Sequence, residues 1–588
     1  MKKATWAAIA LTMAGTATTS LFAGDPVKGG DNTELIGRVY DLSHLRMKDT
    51  DSEHDGVVLF PASRLNRRID SGSWQSLSDS FMNVVQAVLW EEIEYDGRSL
   101  EPSGDGHMYM KAPESAHTDL KELLGFYERL CTAETQMQFY WVDMPKGTES
   151  PSGLVPISQA MEWIGKLSKE SVSMDRLSVP AYRAGMLRQM RTTPVLFEAN
   201  VEVAQGVAAV DDVMRDVGSG RWAMVHAVPG LGGVQLSLTW AHVDRPDLTE
   251  ADLELSALMG AEGKPASPVR LFGVIQLIYQ AAMMSSSHVF VPEGMASISK
   301  VSGKHGRTTL LIAIPGQAAP VEQSFQLTSA RKDRGVAFLM RSLIPLQTRW
   351  ELEQGFGMAR DGSDEWCWRS QRDSSEWMAQ RALEGMASDL IEVHQVGGYM
   401  LLHATNGVSR DQLPVAHMEL DRAVQRLRDL VATRPSYKVT LSVLQGEGNE
   451  LVELQQVVSE GSTASWFTGA ERSFIQEFDV EVAQYAAIHN PSIRVQMEGS
   501  MIEMSLSRDS AGALTVLMDA RMNLPQGEVP MDFASPLFGS HKRMAYQQAR
   551  FEGMQTLKQN GQSGAYYAYF GGEGANAIHL KLSVEPVQ

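Results

Sequence analysis

The pentapeptide Val-Glu-Val-Ala-Gln occurs twice in this chain, at Val201–Gln205 and again 279 residues later at Val480–Gln484. An internal repeat constrains architecture more than any composition does, because each copy must build a similar unit. Extended without a gap, the register keeps Glu198 opposite Glu477, Ala208 opposite Ala487, Arg215 opposite Arg494, Gly220 opposite Gly499, Gly233 opposite Gly512, Leu238 opposite Leu517 and Ala241 opposite Ala520. Upstream, Ala116, His117, Leu120 and Leu130 stand opposite Ala416, His417, Leu420 and Leu430 at a spacing of 300. The 21-residue change in spacing falls in the connector of the first copy. There Ile157, Met161, Ile164 and Leu167 share one helical face, the pattern of an inserted helix.

Each copy opens with a segment that reads as an α/β block. Phe81, Val84, Val85, Val88 and Leu89 recur at helical spacing, and amphipathic helices are expected over 115–130 and 414–430. Each of these helices leads into an alternating strand, 137–144 or 437–444. A β-patterned block follows: 195–204, 222–228 and 234–240 in the first copy, 474–483, 501–506 and 513–518 in the second. Near the end of each copy Glu293-Gly294-Met295 and Glu552-Gly553-Met554 are expected as turns before the terminal strands 308–314 and 578–584.

Lys2 and Lys3, the small and apolar run from Ala4 to Phe22, and Ala23 before Gly24 have the form of a secretory signal peptide. Beyond it no run reaches the roughly 18–20 apolar residues of a spanning helix, so no transmembrane helix is expected in the mature chain. A net charge of −19 argues against nucleic acid and anionic lipid as partners. Cys131 and Cys367 are the two cysteines, so a disulfide framework is excluded; one bridge between the halves and two buried thiols both remain open.

Val213-Met-Arg-Asp-Val-Gly-Ser-Gly, then Val225 to Pro229, then Gly232-Gly233-Val234-Gln235-Leu236-Ser237-Leu238, then Pro292-Glu293-Gly294, resembles the β-domain of bacterial type II and type III secretins. The upstream α/β segment resembles the ring-building domains that precede that β-domain. The resemblance covers most of 80–315 and, more faintly, 380–586. It implies a fold ancestry and a habit of ring or side-by-side assembly in the cell envelope. The Val-Pro-x-Leu-x-x-Ile-Pro-x-Leu-Gly gate signature is absent from both copies, and the acidic stretch Asp244 to Pro268 stands in its place, which argues against pore activity.

No His-Glu-x-x-His, Gly-x-Ser-x-Gly, phosphate-binding Gly-Lys-Ser/Thr or Cys-x-x-Cys motif is present, so no catalytic, cofactor-binding or metal-binding residues are assigned. His117 and His417 read as packing residues rather than ligands. Asp49, Asp51, Glu53 and Asp55 start like a calcium loop, but Ala62 stands at the twelfth position. Glu198 with Glu202, and Glu477 with Glu481, would be about 13 Å apart on one strand face, too far for a glycosidase pair. Tyr566, Tyr567, Tyr569 and Phe570 read as sheet rather than as a sugar platform.

The sequence thus predicts an α+β protein with a signal peptide (1–23), an unassigned segment (24–80), α/β block 1 with its connector helix (81–178), β block 1 (179–320), α/β block 2 (321–457) and β block 2 (458–588). The expected role is a non-catalytic exported envelope component, periplasmic, outer-membrane-associated or extracellular, that contacts itself or other envelope proteins. The alternative is a periplasmic or extracellular module binding a small molecule or glycan.

Overall fold

The computed structural model describes residues 34–42, 98–102, 106–181, 185–204, 207–230, 232–255, 269–302, 307–317, 390–396, 399–404, 411–433, 435–446, 449–508, 513–530, 542–557, 564–571 and 577–587, with shorter pieces at 45, 58–60, 65–69, 81–82, 85, 322–326, 336–341 and 348–351. Strand makes up 70% of it and helix 16%, with antiparallel pairing throughout, which overturns the expected α+β class and its α/β ring-building blocks. The reason is twofold. The strands run far past their alternating segments, and the strands expected to complete the α/β blocks pair instead with the large β layers.

In chain order, β1 (Ile36–Asp41) pairs with β2 (His107–Ala112), and α1 (Glu114–Thr132) leads into β3 (Glu134–Pro145). After α2 (Ile157–Gly165) come β4 (Val172–Pro180), the long hairpin of β5 (Gly185–Ala204) and β6 (Val207–Gly230), then β7 (Gly233–Val243), β8 (Asp247–Leu255), β9 (Val269–Pro292), β10 (Met295–Ser302) and β11 (Arg307–Pro315). The second half has α3 (Leu413–Thr433), β12 (Ser436–Gln445), β13 (Asn449–Ser459), the hairpin of β14 (Thr463–Ala483) and β15 (Ala486–Arg508), then β16 (Leu514–Pro530), β17 (Lys542–Thr556), β18 (Gly564–Gly571) and β19 (Ile578–Pro586). At a rise of about 3.3 Å per residue, the longest strands would reach some 65–80 Å.

Two nine-stranded sheets face each other. One has the order β18-β19-β12-β13-β10-β11-β3-β4, with Gly153–Pro156 added beside β10. The other has the order β8-β9-β7-β6-β5-β15-β16-β17, with β14 pairing both β9 and β15. Alternate residues of each meet in one apolar core: Phe139 and Trp141 of β3, Val439 and Leu441 of β12, Val225 of β6, Trp240 of β7, Trp466 of β14 and Met504 of β15. The outer face of the first sheet differs between halves. Around β3 and β11 it is apolar and covered by α2, with Ile157, Trp163 and Ile164 packed on Val142, Leu310 and Ile312. On β19 it is His579, Lys581, Ser583 and Glu585, which need no cover. The connector helix is therefore where its periodicity puts it, although Met161 is 39% exposed.

The two halves are built alike. Val201–Ala204 and Val480–Ala483 form the last rungs of their hairpins, opposite Val207–Val210 and Ala486–His489. The β5–β6 ladder leaves Phe197 unpaired and the β14–β15 ladder leaves Gln476 unpaired, again 279 residues apart. Gly220 and Gly499 both have positive φ, 134° and 123°. A Cβ at either would lie about 2 Å from a carbonyl oxygen of the adjacent strand, Gln189 or Thr468. Some expected equivalences fail. From Gly499 to its partner Asn523 the second half uses one residue more than the first half uses from Gly220 to Val243, so Leu238 corresponds to buried Met518 and not to Leu517, which is 44% exposed, and Ala241 corresponds to Arg521 and not to Ala520. Gly294 does sit in the β9–β10 turn, whereas Gly553 lies inside β17 opposite Met518.

Candidate functional site

Long strands carry polar side chains into the space between the layers wherever inward positions approach the junction of the two halves. Asp143 of β3 is the centre of one such group. Its Oδ2 pairs with Arg221 of β6 and, at 3.2 Å, with Arg307 of β11, while Oδ1 accepts from the Thr309 hydroxyl at 2.7 Å and lies 3.5 Å from His242 Nδ1. Arg307 also donates to Asp244 at 2.9 Å, and the Arg221 guanidinium reaches Ser173 at 2.6 Å and lies 5.6 Å from the centre of the Trp141 ring. Burial alone would raise the Asp143 carboxyl; His242, Arg221 and the Thr309 hydroxyl outweigh it and hold it well below the usual range. The Thr309 hydroxyl also lies 3.5 Å from His242 Nδ1, and two carboxylates balanced by two arginines tie β3, β6 and β11 together at this point.

Beside this cluster lies a cavity of about 290 Å³ whose walls come from both halves, including Asp244, Met283, Arg307, Leu451, Glu498 and Ser500. Glu498 accepts from the Tyr279 hydroxyl at 3.1 Å, and Arg472 sits 4.7 Å from the Tyr279 ring centre. Burial first, then the Glu498 charge, pushes the Tyr279 hydroxyl up and keeps it a donor. The Ser500 hydroxyl is buried without a hydrogen-bond partner.

The second feature is the set of open sheet edges. β4 and β18 end the first sheet, and β17 ends the second beyond β16. Among the described residues, 185–200 of β5 pair with β6 alone, because its contact with β15 is confined to Val201–Ala204. Arg188, Gln189, Arg191 and Thr192 are exposed on that stretch, and Gln548 and Arg550 are exposed on β17.

Of the residues singled out by sequence, His117 is fully buried at the start of α1. Its Nδ1 is hydrogen-bonded to the Tyr40 hydroxyl at 2.7 Å, and its Nε2 faces the Ile36 carbonyl at 2.8 Å. A carbonyl only accepts, so Nε2 is the donor there, and the ring pins α1 to β1. His417 has no matching arrangement: its Nε2 is buried without a partner. Glu198 and Glu202 lie on β5, Glu477 and Glu481 on β14, and Tyr566, Tyr567, Tyr569 and Phe570 on β18, all in strands. Cys131 lies in α1; Cys367, Asp49–Asp55 and the leader 1–23 fall outside the described residues. Among the described residues no cluster of three His, Cys, Asp or Glu is placed to hold a metal, and no helix is long and apolar enough to cross a membrane. The Asp143 group escaped sequence reading because its members are up to 166 residues apart; the one local signal was the acidity after Val243.

No protein-family model matches the chain, and no curated protein is similar to it. Two solved structures show weak likeness. One is the Salmonella SPI-1 type III secretion injectisome basal body with InvG, PrgH and PrgK, at 12% identity over 49% of this chain and 69% of that chain, TM-score 0.14. The other is the Klebsiella pneumoniae type II secretion system outer membrane complex of PulD, PulS and the PulC HR domain, at 9% identity over 97% of this chain and 77% of that chain, TM-score 0.14. At that score neither superposition transfers a fold or a role.

Proposed function

We propose that this chain is a non-catalytic structural component of the cell envelope that works by self-association through its sheet edges. The observation that carries the reading is that, among the described residues, both nine-stranded layers stop at edge strands, β4 and β18 in one and β8 and β17 in the other. Rows of free N–H and C=O groups are templates for strand addition. The sequence resemblance to secretins and the signal-peptide pattern at 1–23 point to an exported protein in the periplasm or at the outer membrane, with itself or other envelope proteins as partners. The test is the solution mass of the chain from Gly24 onward, by light scattering at two concentrations, together with envelope fractionation of the producing cell. A discrete oligomer in an envelope fraction is expected; a monomer at both concentrations overturns the reading.

The cavity favours a second reading, a binding module. Arg307, Glu498 and the unpartnered Ser500 hydroxyl are polar anchors of the kind that orient a small ligand in an otherwise apolar site. Under this reading, free amino acids and small amines screened by thermal shift raise the melting temperature of the monomer, and Ser500→Ala removes the gain.

A further inference from the structure

The two halves of one chain meet at the tips of their long hairpins, where Val201–Ala204 of β5 pairs with Ala486–His489 of β15, and across two further ladders whose strands have counterparts elsewhere in the molecule. In the second sheet, Tyr279–Ser286 of β9 pairs with Ser465–Arg472 of β14. In the first sheet, Lys300–Ser302 of β10 pairs with Glu453–Gln455 of β13. Lys300 also donates to Glu453 at 3.1 Å across that ladder.

The matching construction of the halves identifies the counterparts. β14 occupies in the second half the place of β5 in the first, with the same spacing and the same unpaired residue. β17 occupies the place of β9, since each is the partner of the strand after the long hairpin. By the same rule β18 stands for β10, and β13 for β4. The strands that would continue the pattern outward are therefore β17 and β18 on one side of the molecule and β5 and β4 on the other. Among the described residues, β17, β18 and β4 end their sheets, as β8 does, and 185–200 of β5 has β6 as its ladder partner.

Resting on the self-association reading above, we propose that the internal junction is the template for the junction between chains: β17 and β18 of one copy pair with β5 and β4 of the next, head to tail. Carried over rung by rung, the template sets Ala545–Glu552 of one copy antiparallel to Met186–Thr193 of the next, and Tyr567–Tyr569 to Val172–Met174. Arg550 then stands opposite Arg188, and Phe551 opposite Leu187. Phe551 and Leu187 are both partly buried at opposite ends of the same core, and the pairing completes that core between copies. Met174, 46% exposed on the β4 edge, comes under β18. Pro194, just past the last rung of the second-sheet ladder, lacks the N–H to extend it. Because the two surfaces differ, the contact is heterologous and propagates into a ring or an open filament.

The test mixes two single variants of the full chain, Arg188→Cys and Arg550→Cys, distinguished by tags of different size, under mild oxidation, with light scattering of each variant beforehand. Both side chains are exposed, and the natural cysteines are the same in every sample. A covalent species containing one of each, at least about tenfold above either variant alone, is expected from the effective concentration of an assembled junction. The doubly substituted chain should give a ladder of multiples. Assembly without the mixed cross-link, or cross-linking of like with like, overturns the head-to-tail junction while leaving self-association standing; a monomeric parent chain overturns both.

Discussion

At the scale of single residues, the two charged groups between and along the layers make opposite demands on pH. Asp143 is held ionised by Arg221, Arg307 and His242, so its contribution to stability is complete above the ordinary carboxylate range and is lost as pH falls through its lowered value. Asp143→Asn leaves two arginines facing each other, and chemical denaturation at pH 7 should show a loss of about 2–4 kcal/mol. Glu503 behaves the other way. Burial, reinforced by Asp519 directly across on β16, pushes its carboxyl up to about 8. The charged groups around it are Asp519 and Arg521 on β16 and Arg550 on β17, with Glu552 in the same cross-strand row and Ser465 opposite on β14. Between its ordinary 4.5 and about 8 the folded chain keeps a proton that the unfolded chain has lost, so stability falls as pH rises through that window and then levels off. Glu503→Gln should flatten this slope and gain about 1–3 kcal/mol at pH 8.5, read by denaturation at several pH values.

At the scale of elements, the long hairpins depend on backbone positions that no side chain can occupy, Gly220 and Gly499 among them. Gly220→Ala and Gly499→Ala each force a Cβ into a neighbouring carbonyl at a positive φ, and a loss of about 2–4 kcal/mol is expected for either, with the melting curve shifting down. Gly553→Ala, inside β17 with nothing nearer than 3.3 Å, should cost far less, and the contrast separates backbone strain from simple loss of a glycine. α2 is a cover rather than a scaffold. Ile164→Asp should expose the apolar face of β3 and β11 and raise binding of a hydrophobic dye, while the ladders of the second sheet keep their hydrogen-exchange protection.

At the scale of the whole molecule, six ladders close a circuit: β5 with β6, β6 with β7, β7 with β9, β9 with β14, β14 with β15, and β15 with β5 through Val201–Ala204 and Ala486–His489. The second half therefore cannot leave the first without breaking two ladders, the cavity walls and the β10–β13 rungs together. Denaturation should follow a single cooperative transition for the two halves, and two separated transitions by intrinsic fluorescence of Trp240 and Trp466 would refute this coupling.

The sequence by itself determined the elements and their duplication. Period 3.6 located α1, α2 and α3, alternation located the cores of the strands, and the repeated pentapeptide marked the tips of two like hairpins, because these signals are local and each follows from one face of an element meeting a core. It misjudged the class, since nothing in Glu134–Pro145 or Ser436–Gln445 says which sheet a strand will join, and it misplaced Leu517 and Gly553, because a one-residue change in a turn moves every later side chain to the other face. Only the tertiary structure decided the Asp143 group, the cavity between the halves and the open edges. Each is made of residues far apart in the chain, and their juxtaposition is fixed by strand register and sheet packing rather than by any pattern a single segment can carry.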